Sequence, residues 1–121
     1  MITEDYVSFE IAKLLKEKGF DIPTIGRYSI RSKEFHLDCT RMCNNGGLFE
    51  CAAPTHQMAM KWLREVHNIG IEPWYCDGKW ECGFCTLPKG IDLYTSFEGT
   101  RYDTYEEAVE TAIKYCLENL I

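Results

Sequence analysis

The chain has 121 residues, 45% of them hydrophobic and 13% aromatic, which is enough apolar material for one core of ordinary domain size and too much for a disordered segment. Nineteen acids against thirteen lysines and arginines leave a formal charge of −6, a field that repels phosphate backbones and argues against a duplex nucleic acid partner. No apolar run approaches the ~20 residues of a membrane span, and Glu4 and Asp5 stand where an export signal carries bases, so the expectation is a soluble, cytoplasmic protein whose seven cysteines stay as thiols.

In chain order, Thr3 can cap a first helix whose opening turn holds Glu4 and Asp5, with Ser8 as an alternative cap. Val7, Ile11, Leu14 and Leu15 recur at helical spacing, and Gly19 suits a left-handed stop. Residues 24–30 and 34–39 read as short strands from their β-branched and aromatic content. Residues 40–54 show no period, and Asn44-Asn45-Gly46-Gly47 demands a turn or loop. Thr55 is expected to cap a second helix in which Met58, Ala59, Trp62, Leu63 and Val66 form the apolar stripe and which ends at Gly70.

Asp77-Gly78 predicts a type I′ hairpin turn joining 71–76 to 79–84, because this pair tolerates two positive φ angles. That turn pairs Cys76 with Lys79, Tyr75 with Trp80, Trp74 with Glu81 and Pro73 with Cys82. Alternation then puts Tyr75, Trp80, Cys82 and Phe84 on the face suited to the core, and Trp74, Cys76 and Glu81 on the other. Residues 91–97 follow as a third antiparallel strand. Thr104-Tyr105-Glu106-Glu107 is a capping box that opens a last helix through Ala108, Val109, Ala112, Ile113, Cys116, Leu117 and Leu120. The expected architecture is a single α+β domain over residues 1–121, in which a mainly antiparallel sheet of about five strands packs against three helices in the order helix, two strands, helix, three strands, helix.

Three stretches carry a resemblance: Tyr6-Val7-Ser8-Phe9-Glu10-Ile11-Ala12-Lys13-Leu14-Leu15-Lys16-Glu17-Lys18-Gly19-Phe20, Pro54-Thr55-His56-Gln57-Met58-Ala59-Met60-Lys61-Trp62-Leu63-Arg64-Glu65, and Tyr105-Glu106-Glu107-Ala108 with Ile113-Lys114-Tyr115-Cys116-Leu117. In these the chain resembles a family of short uncharacterised proteins of gut Bacteroides, their phages and mobile elements. The resemblance implies an accessory protein in the host cytoplasm that acts by binding and blocking, sequestration of a nucleotide immune signal included, and it brings no agreed activity.

Among candidate sites, Cys82-Gly83-Phe84-Cys85 has the two-residue gap that lets two thiolates reach one zinc, and Cys39 and Cys43 can complete a four-sulfur tetrahedron. Isolated buried or half-exposed thiols are the competing reading. Redox chemistry at the same pair needs the first thiol at a helix N-terminus, whereas a turn follows Cys85. His56 beside Cys51 has the residue types of a base and a nucleophile but not a spacing that brings them together, and no catalytic residue is expected.

Thr55 and His56 open the second helix, where free backbone N–H groups can hold an anion. Lys61, Arg64 and Arg101 supply bases, and Trp74 and Tyr75 supply rings, so the set can grip a small anionic ligand in the way nucleotides are held without catalysis. Against this, Tyr75 can be core and Arg64 an ordinary solvated residue. Trp74, on the sheet face away from the core, calls for cover by a helix, a ligand or a second subunit, and a homo-oligomer is expected. The function expected is therefore non-enzymatic binding of a small anionic ligand or a host protein, with a zinc-stabilised interaction adaptor as the alternative.

Overall fold

Helix α1 (Phe9–Glu17) starts where a side chain can close its first turn. Ser8, with φ −68° and ψ 167°, accepts the Ile11 N–H at 3.3 Å in the computed structural model, which describes residues 2–93 and 99–121. Thr3 is not the cap. Tyr6 bridges Thr55 in antiparallel fashion and Val7 donates to the Pro54 carbonyl at 3.0 Å, which holds the chain before Ser8 extended and leaves Glu4 and Asp5 outside the helix. The helix buries Ile11, Ala12 and Leu15, and Gly19, at φ +92°, turns the chain out of it.

The described elements fall into two compact units, Met1–Gln57 and Met58–Ile121. In the first, β1 (Gly26–Ser29) lies between β2 (Phe35–Leu37) and β3 (Glu50–Ala52), antiparallel to both. Strand β3 sits inside the stretch where no period is legible, because three residues are too few to display alternation. One face of this sheet carries Tyr28, Phe35 and Cys51. There Tyr28 meets Phe35 with centroids 5.2 Å apart, Tyr6 meets Phe35 at the same distance, and Phe9 of α1 sets its edge on Tyr28 at 5.7 Å. Gly26 is required at its position, since a β-carbon there would stand 2.6 Å from the Ala53 carbonyl oxygen.

Helix α2 (His56–His67) ends at Asn68, which takes φ +58°, so the left-handed stop comes two residues before Gly70 and the next strand begins at once. Its buried apolar residues are Ala59, Met60, Trp62 and Leu63. Met58, at the margin of that arc at 100° per residue, and Val66, in the last turn, are exposed, so the expected stripe is turned toward Met60.

In the second unit β5 (Lys79–Thr86) is central between β4 (Ile69–Cys76) and β6 (Ile91–Leu93), again antiparallel. The hairpin register is the expected one, with Asp77 at φ 51° and Gly78 at φ 78° in the turn. Residues 94–97 of the expected third strand lie outside the described residues. Helix α3 (Tyr105–Tyr115), continued by one π-helical turn (Cys116–Leu120), is capped by Thr104, whose hydroxyl accepts the Glu107 N–H at 3.1 Å. It buries Ala108, Val109, Ala112, Ile113, Cys116 and Leu117 and packs against β4 and β5, where Phe84 stacks on Tyr115 at 5.5 Å and Trp80 meets Tyr105 edge-on at 5.1 Å. The class is α+β, and its antiparallel strands form two three-stranded sheets instead of one. Among the described residues no helix is long and apolar enough to cross a membrane.

Candidate functional site

The turn at Asp77-Gly78 determines which side chains meet beyond it. Trp74 and Glu81 are cross-strand partners on the face of β4 and β5 turned away from α3, and the Trp74 indole N–H donates to Glu81 Oε2 at 2.8 Å. Gly83, diagonal to Trp74, leaves the space that the indole occupies, so that a β-carbon there would come within 3.0 Å of the ring. The ring is thereby fixed at its edge and on one side, yet 45% of Trp74 remains exposed, and the neighbouring Tyr75 is 62% exposed.

Arg101 reaches the same face by a separate route. Trp80 and Tyr102 exchange two main-chain hydrogen bonds of 2.8 Å, which lays the segment around Tyr102 along the second edge of β5. From there Arg101 Nη2 donates to the Cys76 carbonyl, Arg101 Nε lies 3.9 Å from Glu81 Oε1, and Lys79 pairs with Asp103. Trp74 and Arg101 therefore share one carboxylate. Glu81 is one residue that sequence reasoning left without a role, although the hairpin register already placed it opposite Trp74. Gly83 is another, readable only once its diagonal relation to a large ring is known. The pairing of Tyr102 with Trp80 left no local signal.

Among the described residues no hydrogen bond or ion pair links Lys61 or Arg64 to this group. Lys61 and Arg64 are exposed on α2. Thr55 and His56 belong to the first unit, where the His56 N–H donates to the Asp5 carbonyl at 2.9 Å and Thr55 bridges Tyr6, so the opening of α2 is partly satisfied by the chain's own backbone. His56 is 7% exposed, so its imidazole is largely withdrawn from solvent at the opening of α2.

The thiols are dispersed. Cys82 and Cys85 lie three residues apart within β5, and alternation sends them to opposite faces, where a zinc knuckle needs both on one side of a turn. Burial pushes the Cys82 thiol up to about 12, and burial together with the nearby Cys82 does the same to Cys116. Cys85 donates to Glu72 Oε1 at 3.2 Å. Burial raises Cys51 too, against the opposing pull of Lys16. Cys43 is buried and Cys39 exposed in the first unit, and among the described residues no group of three or more His, Cys, Asp or Glu could hold a metal ion.

Comparison with protein-family models, with curated proteins and with solved structures returns no match.

Proposed function

We propose that the chain acts by binding and blocking rather than by catalysis, and that the contact is made by the outer end of the β4–β5 hairpin. The observation that carries this reading is the Trp74 ring, half exposed while held by Glu81 and seated on Gly83. A large ring whose orientation is set in advance loses little entropy on association, and Trp, Tyr and Arg are the residues from which the energetic centres of protein interfaces are built. The raised Cys82 and Cys116 thiols are poor nucleophiles and add support.

Two observations favour a protein over a nucleotide as the partner. The guanidinium of Arg101 is already engaged by Glu81 and the Cys76 carbonyl. Residues 58–121 carry eleven acids and six lysines and arginines, a balance that opposes a phosphate and a second copy alike and suits a protein presenting an apolar pocket bordered by bases. The phage or mobile-element setting implied by the resemblance fits such a blocking role in a host cell.

The test uses the full chain and its Trp74→Ala variant as baits in cells that carry the gene, at low and high ionic strength. A partner held by the wild type, lost by the variant and weakened by salt is the expected result, with a loss of at least about thirtyfold in affinity for a central aromatic anchor. If instead a nucleotide raises the melting temperature of the wild type and not of the variant, sequestration of that nucleotide replaces this reading.

A further inference from the structure

The exposed edges of the two sheets are not treated alike. In β3 the outward-facing groups belong to Glu50 and Ala52, because the neighbouring bonds, Ile30 N–H to the Phe49 carbonyl and Ala53 N–H to the Gly26 carbonyl, set the phase of the ladder. Both residues are capped by side chains: Lys16 Nζ donates to the Glu50 carbonyl at 2.7 Å, and the Ala52 N–H donates to Asn45 Oδ1 at 2.7 Å. In β4 the outward-facing positions alternate with the pairs bonded to β5, and one of them is Pro73, which has no N–H to offer. These are devices that stop a sheet from growing.

Strand β2 has no such device. Ser29 donates to the Glu34 carbonyl at 3.0 Å and Asp38 to the Ile25 carbonyl at 2.9 Å, so the main-chain groups of Phe35 and Leu37 point away from β1. Among the described residues none of those groups has a hydrogen-bond partner. The side chains of Phe35 and Leu37 share one face and are 38% and 56% exposed. The opposite face presents Glu34, His36 and Asp38, with His36 Nε2 3.8 Å from Glu34 Oε2 and Asp38 bound to Arg27 at 2.8 Å. The Glu34 side chain is 71% exposed, and the adjacent base, Lys33, has its ammonium over the Phe9 ring.

We infer that the free edge of β2 takes up an extended peptide segment as a fourth strand, one that alternates apolar residues with lysine or arginine. Main-chain hydrogen bonds to Phe35 and Leu37 supply the attachment, the apolar side chains of the incoming strand continue the Phe35–Leu37 row, and its bases stand opposite Glu34 and Asp38. A second copy of the chain is a poorer occupant. Antiparallel pairing about His36 would set Glu34 opposite Asp38 of the second copy, twice, and like charges in directly opposed positions destabilise a ladder.

The experiment follows amide hydrogen exchange and ¹H–¹⁵N shifts of the full chain with a capped peptide alternating valine and lysine, and with one alternating valine and glutamate. The expected result is new protection confined to the Phe35 and Leu37 amides with the basic peptide alone, and for Glu34→Lys a loss of up to about fivefold per opposed pair together with a gain for the acidic peptide. Equal binding of both peptides, or protection elsewhere in the chain, would overturn the inference. So would protection of the β2 amides that grows with protein concentration in the absence of any peptide, since that would mean self-pairing.

Discussion

The two sheets have the same strand count and solve the same problem by different means. The sheet of the second unit is built on a long hairpin whose eight cross-strand pairs run from Ile69 with Thr86 to Cys76 with Lys79, and it meets α3 through paired rings. The sheet of the first unit has strands of three and four residues, too short to hold their own register, and is tied by side chains to main chain. Arg27, 7% exposed, donates to the Arg41 carbonyl at 3.0 Å and to Asp38 at 2.8 Å, and lies 3.7 Å from Glu50. Lys16 binds the carbonyls of Gly47 and Glu50, and Asn45 joins the Phe20 carbonyl to the Ala52 N–H. Long strands carry their stability in repetition, whereas short ones concentrate it in a few polar contacts, where single substitutions weigh most.

The sharpest way to break that contrast is at the glycines. Gly26→Ala drives a β-carbon into the Ala53 carbonyl, a main-chain atom with little room to give, and should lower stability by about 3 kcal/mol in urea unfolding at unchanged m. Gly83→Ala meets only the half-exposed Trp74 ring, and should change stability by less than about 1 kcal/mol while shifting the indole N–H resonance. Equal costs would end the distinction. Next, Arg27→Ala removes its contacts to Asp38, Glu50 and the Arg41 carbonyl at once, leaving Asp38 to Thr40 and Glu50 to Arg41, and should cost roughly 1–3 kcal/mol. Asn45→Ala removes the bond to the Phe20 carbonyl and the cap on the Ala52 N–H at the β3 edge, and should cost about 1–2 kcal/mol, again by urea midpoint.

Two smaller effects sharpen the picture without unfolding the protein. In the native state Cys39 and Cys76 should react with iodoacetamide, while Cys43, Cys51, Cys82, Cys85 and Cys116 should label only in denaturant, as counted by mass spectrometry. The Asp38 carboxyl is held below the usual carboxylate range, first by the Thr40 hydroxyl, then by the Thr40 N–H and by Arg27. Because the folded value is the lower one, its contribution is present above the unfolded value near pH ~4 and is lost as the pH falls through the folded value. Thr40→Ala should raise the Asp38 midpoint in an NMR titration and move the acid limb of stability upward in pH.

The legible parts of the fold were those governed by neighbours in the chain. Asp77-Gly78 permits one turn, that turn dictates eight pairs, and alternation then separates Tyr75 and Trp80 from Trp74 and Glu81. The Thr104 box and the spacing from Ala108 to Leu117 specify α3 in the same way. Ser8, rather than Thr3, begins α1 because of a contact with residues nearly fifty positions away, at Pro54 and Thr55, which no local pattern encodes. Of the candidate site, the pairing of Trp74 with Glu81 followed from the turn, whereas Tyr75, expected on the core face, is 62% exposed near the hairpin end, and the arrival of Arg101 depended on Tyr102 pairing with Trp80.

The amino-acid order alone thus determined the helices, the hairpin, its two faces and the acidic balance, since each rests on steric and periodic rules acting over a few residues. Tertiary structure decided the rest: the division of strands into two sheets, the dispersal of the cysteines, the burial of His56 and the capping of one edge but not another. These depend on which distant backbone groups meet, and loop closure leaves no mark on composition or period.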